Sequence, residues 1–251
     1  MQERIPMSSI HFQTTYSLSH QYHAIKSRAP AILGDFLADT TVYHFNDQDR
    51  TLTFTSERLI PEVASGRQRI LLLFSSPHPH SIQQGMFLSP SVKGGLSLFW
   101  SAMQDAGWFR LPEEKPDPQR LAEIFLRLEY ESPFELLFYC YYAFPTRYPE
   151  HIQKLFGKDF FKEVIEPEAS QAFSRIIQNE QPAAVVTFNK SIFNLASTEP
   201  VGKYIARLKH GEVIRSQIRA AEKELPVFLT YPTGWRYDAD YKELRRKSLE
   251  G

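Results

Sequence analysis

The sequence predicts an α/β protein, a three-layer α/β/α sandwich around a central, mainly parallel sheet of four strands. Three observations predict it. Short, continuous apolar runs end in small or polar residues, as strands buried on both faces do. Between them lie segments whose apolar residues recur at helical spacing. The two patterns alternate along the chain, the order that builds a parallel sheet with helices on both sides.

From Met1 to about Arg69 the pattern is weak. Thr41–Phe45 and Thr51–Thr55 read as two short strands around the turn-forming Asn46-Asp47-Gln48-Asp49. Residues 1–66 are therefore expected to be an N-terminal extension packed on an α/β domain of residues 67–251. Arg69–Phe74 is the first buried-strand candidate, stopping at Ser75-Ser76-Pro77, and a loop rich in Ser, Pro, His and Gly runs on to Gly95. Leu96–Met103 carries enough apolar side chains for a packed helix that Gly107 can end. After Pro-rich Leu111–Pro118, residues Leu121, Ile124, Phe125 and Leu128 fall on one helical face.

Glu135–Phe144 is the second strand candidate, ending at Pro145. Glu168–Asn179 is amphipathic through Phe173, Ile176 and Ile177, and leads into a third strand at Ala183–Phe188. A fourth, Pro226–Tyr231, runs into Pro232-Thr233-Gly234. Open α/β sheets bind ligands beyond the carboxyl ends of their strands. The loops after Phe74, Phe144, Phe188 and Tyr231 are therefore expected to share one cleft.

Composition narrows the function classes. The 251 residues carry 29 Lys+Arg against 29 Asp+Glu, so bulk charge cannot hold a nucleic acid and any basic surface must be local. Val201–Lys223 is such a segment, with Lys203, Arg207, Lys209, Arg215, Arg219 and Lys223 against Glu212 and Glu222. A solvated face is the alternative explanation for a charge run of this kind. The single cysteine, Cys140, excludes an internal disulfide, a thiolate zinc site and an iron–sulfur cluster, and fits a reducing cytoplasm. No secretory leader and no apolar stretch of about 20 residues is present, so no membrane partner is expected. Without a glycine-rich phosphate loop, no nucleotide cofactor is expected either.

Ser75-Ser76-Pro77-His78-Pro79-His80-Ser81 is the densest polar cluster beside a strand end. It reads as a floor for a base or a phosphate, with His78 or His80 able to titrate near neutrality, or as a proline-stiffened turn. His78-x-His80 lacks the third ligand a metal needs, so no metal is expected. Ser76 with a nearby His also suggests a small-molecule hydrolase, but the glycines of a nucleophile elbow are replaced by Phe74 and His78. Asn189 follows a buried strand and can cap the next helix. In Tyr231-Pro232-Thr233-Gly234-Trp235-Arg236-Tyr237 an aromatic wedge and a phosphate contact lie together, Trp235 alternatively being a hydrophobic lid.

The order Ile70–Phe74, Ser75-Ser76-Pro77-His78, Gly85–Ser89, Phe99-Trp100, then Gln181–Asn189, then Phe228-Leu229-Thr230-Tyr231-Pro232-Thr233 resembles the uracil-DNA glycosylase superfamily over roughly residues 68–245. Ser76 stands where that family commonly has Asp or Asn, and Tyr231 where it has a closing His. The resemblance implies a cofactor-free protein that binds DNA or a nucleobase and hydrolyses the N-glycosidic bond of a damaged base. Ser76, with His78, would position water, and Tyr231 would stabilise the leaving base. Ser75, Pro77, Phe87, Leu88 and Asn189 would contact the base, Phe87 by stacking or else by ordinary core packing. Thr233, Trp235 and Arg236 would meet the nucleic-acid backbone. A non-catalytic nucleic-acid-binding protein of the same fold is the competing class.

Overall fold

The protein is described by a computed structural model over residues 10–89, 98–210, 212–220 and 223–231. Its elements run β1 (His11–Ser17), α1 (Tyr22–Leu33), β2 (Tyr43–Asn46), β3 (Thr51–Leu59), β4 (Gln68–Phe74), α2 (Pro79–Gln84), α3 (Leu98–Asp105), α4 (Pro118–Leu126) and β5 (Phe134–Cys140). They continue with α5 (Glu150–Phe156), α6 (Lys158–Phe160), α7 (Glu166–Glu180), β6 (Ala184–Thr187), α8 (Lys190–Ala196), α9 (Ile205–Lys209), β7 (Ile214–Ala220) and β8 (Lys223–Leu229).

The four apolar runs form the centre of the sheet, β5-β4-β6-β8, and are mutually parallel. β4, β5 and β6 are buried on both faces along most of their length, which is why their sequences do not alternate, whereas β8 alternates buried Leu225, Val227 and Leu229 with less buried Glu224, Pro226 and Phe228. Leu71 and Leu73 of β4 enter one core with α1, α5, α7, α8 and α9, whereas Leu72 and Phe74 enter the other with α3 and α4. Helices therefore cover both faces.

The sheet is larger and more mixed than the expected four parallel strands. Eight strands run β1-β3-β5-β4-β6-β8-β7, with β2 also paired to β3. Antiparallel ladders join β1 and β2 to β3, β3 to β5, and β7 to β8. Strands such as β1, HFQTTYS, lie at an edge with few residues buried, so they carry no apolar run. Residues 10–59 thus contribute three strands to the same sheet as the segment after residue 67, and Tyr16, Tyr22, Leu52 and Phe54 share its core.

The basic segment runs from Lys203 before α9 through Arg207 and Lys209 of α9 and Arg215 and Arg219 of the edge strand β7 to Lys223 at the start of β8, with Arg215 over the Phe228 ring at 5.7 Å. Charged residues on an edge strand discourage pairing with another chain.

The expected hairpin forms with Tyr43 opposite Phe54 and Asn46 opposite Thr51. Asn46 Oδ1 closes its turn by accepting from the backbone N–H of Gln48 and Asp49 at 3.0 and 3.1 Å. Gly107 ends the turn after α3 at φ +76°, a conformation open to glycine.

At the amino ends of the parallel strands a buried ion network ties distant segments together. Glu135, fully buried, accepts from Arg69 Nε at 2.9 Å and from Ser65 N and Oγ at 2.7 and 2.8 Å. Arg69 also bonds Glu180 at the end of α7, at 2.9 Å. This network ties β4, β5 and α7 together at one pole of the sheet.

Candidate functional site

The chain leaves β4 toward β5 on one side and leaves β6 toward β8 on the other, so the topological switch point lies between the carboxyl ends of β4 and β6. Ligands bind in such crevices because the diverging connections leave the strand ends uncovered. Ser75–His78 follows β4 here and Asn189 follows β6.

The loops after β4 and β5 are laced together by backbone hydrogen bonds. Tyr141 N donates to Phe74 O, Tyr142 N to Ser75 O and Thr146 N to Pro77 O, each at 2.9 Å. Ser76 Oγ and Thr146 Oγ1 share a hydrogen bond of 3.3 Å. Ser75 and Ser76 are half-buried and Pro77 is buried, so the loop is a fixed shelf rather than a loose turn. The hairpin strands continue the wall past the end of β5, and Tyr43 Oη donates to Pro145 O at 2.6 Å.

His78 is the N-cap of α2, and its Nδ1 accepts from His80 N at 3.2 Å. That bond fixes the neutral tautomer with the proton on Nε2, which is left as a donor. Burial, then the neighbouring His80 and Arg147, hold the His78 imidazole below its ordinary pKa. Phe36, from the turn after α1, touches the His78 ring edge-on at 6.0 Å and carries the Arg147 guanidinium over its face at 4.9 Å. Ser75, Ser76, Pro77 and His78 are therefore brought together with Thr146 and Arg147.

Other expected site residues are placed elsewhere. Phe87 is 2% exposed, with its ring 5.7 Å from Phe74 and 5.9 Å from Phe138, so it has no free face to stack on a base. The alternative of core packing is what occurs. Leu88 adopts φ +46° and its carbonyl accepts from Trp100 Nε1 at 3.2 Å, binding the loop to α3. Asn189 Oδ1 accepts from Ser191 N and Ile192 N at 2.8 and 3.2 Å, which is capping of α8.

Tyr231, 1% exposed, belongs to the core on the sheet face opposite that of Phe87. The two rings thus do not line one pocket. Thr233, Trp235 and Arg236 lie outside the described residues, as does the segment from residue 90 to 97.

One group at this pole was not singled out from the sequence. Glu57 is 2% exposed, and its Oε2 makes no hydrogen bond among the described residues. It faces His11 across β1 and, one position on from the Arg58–Tyr139 pair, lies beside Cys140 at the end of β5. Burial pushes its carboxyl well above the usual glutamate range, and burial together with Glu57 raises the Cys140 thiol. The only signal was its period-two parity with the buried Leu59 in Thr-Ser-Glu-Arg-Leu, since a strand turns alternate residues to one face.

Among the described residues, no three His, Cys, Asp or Glu side chains are grouped to hold a metal. None of the described helices is long and apolar enough to cross a membrane. Comparison with protein-family models and with curated proteins returns no match.

Proposed function

We propose that this chain binds DNA or a nucleobase at the switch-point crevice, as a protein of the uracil-DNA glycosylase-like class. The observation that carries the proposal is the placement of Ser75–His78 and Asn189 after adjacent parallel strands whose connections diverge. The bonded hydroxyls of half-buried Ser76 and buried Thr146, the His78 imidazole and the exposed Arg147 guanidinium, which makes no ion pair among the described residues, lie in the loops after β4 and β5, a set suited to a polar, partly anionic ligand. No cofactor is required for this function.

Two observations favour binding over N-glycosidic hydrolysis. Phe87 is committed to the core, and the Tyr231 ring is buried on the opposite face, so stacking and leaving-group stabilisation do not converge. In a hydrolytic reaction Ser76 would orient the water, a role supported by its position after β4 and its hydroxyl contact with Thr146.

The test uses the full chain with oligonucleotides containing uracil, hypoxanthine or a mismatch, followed by cleavage of abasic sites. Salt-dependent retention of plain DNA without strand breaks is the expected result. Breaks that vanish in a Ser76→Ala variant would establish the hydrolytic function instead. Failure to retain any oligonucleotide would overturn nucleic-acid binding.

A further inference from the structure

We infer that Arg147, His78 and the Ser76–Thr146 hydroxyl pair form an anion site on the β5 side of the crevice, which takes a phosphate of the nucleic-acid backbone. This assignment rests on the nucleic-acid reading above for its choice of ligand. It also gives residues 10–59 a part in the site, because Phe36 is the ring that holds the two basic side chains together.

The geometry is specific. Arg147 is exposed, directly follows Thr146, and sits over the Phe36 face at 4.9 Å. His78 meets the same ring from its edge at 6.0 Å. The guanidinium and the imidazole therefore share one aromatic support, next to hydroxyls joined at 3.3 Å. Among the described residues Arg147 makes no ion pair, a state it shares with several other arginines such as Arg58 and Arg175.

His80 and Arg147 both disfavour the charged form of the His78 imidazole. A planar guanidinium is matched to phosphate by its fork of donors, and neighbouring hydroxyl and imidazole N–H groups complete the set. An aromatic beneath the guanidinium fixes its plane, which reduces the ordering needed on binding.

The expected contribution follows from counterion release. Removing one phosphate contact weakens binding by on the order of tenfold near 0.1 M salt, and lowers the salt slope by about one. The experiment measures binding of a labelled single-stranded oligonucleotide to wild type, Arg147→Ala, Arg147→Lys and Arg127→Ala across a salt series. Arg127 lies after α4, toward the amino ends of the strands, so its loss should change nothing. Arg147→Ala should show the loss and the shallower slope, with an unchanged melting temperature because the side chain is exposed. Arg147→Lys should recover part of the affinity, since charge returns without the fork.

A second arm compares thymidine monophosphate, thymidine and inorganic phosphate as competitors. Phosphate-bearing competitors should displace the oligonucleotide from wild type and thymidine should not. Equal affinity and slope for Arg147→Ala, with wild type binding normally, would overturn the anion site and leave the nucleic-acid proposal standing. Wild type that binds no oligonucleotide but binds phosphate in an Arg147-dependent way would overturn that proposal and keep the site for free phosphate esters. Absence of both kinds of binding would overturn both.

Discussion

Truncating Phe87 to alanine separates a core ring from a base-stacking ring. Phe87 is 2% exposed and packs against Phe74 and Phe138, whose strands β4 and β5 are central in the sheet. Truncating a buried Phe costs roughly 3–5 kcal/mol, the transfer of the ring plus the cavity it leaves. Because strand side chains wall this pocket, it can collapse little, and a value of about 4 kcal/mol is expected. For a chain of this size that corresponds to a drop in melting temperature of roughly 8–16 °C.

Urea unfolding of Phe87→Ala should show a lower midpoint with an unchanged slope, since the native surface is nearly the same. Oligonucleotide binding, measured well below the variant's melting temperature, should fall little. A variant with parental stability but much weaker binding would refute the packing assignment and return Phe87 to the base-stacking role.

The remaining predictions address both poles of the sheet. Arg69→Ala leaves the fully buried Glu135 carboxylate with only Ser65 and should destabilise by roughly 3–5 kcal/mol, read by urea unfolding. Asn189→Ala should cost about 1 kcal/mol through loss of the α8 cap and Asn189→Asp much less, whereas reduced ligand affinity without lost stability would point to a base contact. Glu57→Gln should flatten part of the stability–pH profile. The folded carboxyl holds its proton above its ordinary value of 4.5, so the folded state binds more protons than the unfolded state once pH exceeds that value. Stability is then lost as pH rises toward the folded pKa, and the neutral amide should remove that loss. An identical profile for the variant would show that Glu57 is not protonated in the folded protein. Cys140, buried with a raised pKa, should react with a thiol reagent only after unfolding.

The central strands were legible because strands inside a sheet carry dense apolar runs, continuous where both faces are buried as in β4, β5 and β6. Gln68–Phe74, Phe134–Cys140, Ala184–Thr187 and Lys223–Leu229 each overlap a run that the sequence marks. The capping role of Asn189 and the hairpin turn at Asn46 were equally readable, since both depend on hydrogen bonds within a few residues. Strands β1 and β7 were not legible. An edge strand needs only one neighbour and keeps polar side chains, so its sequence resembles that of a loop or a solvated helix.

Sequence alone determined an α/β chain with polar loops at the ends of its apolar strands, because periodicity and turn chemistry are local properties. Tertiary structure decided which of those loop residues meet. It buried Phe87 and Tyr231 on opposite faces of the sheet and set Arg147 and His78 on one Phe36 ring contributed by the N-terminal segment. It also enclosed Glu57 without a partner for its Oε2 among the described residues. Such outcomes depend on strand order and register across long stretches of chain, and a one-residue change of register reverses the face every side chain occupies.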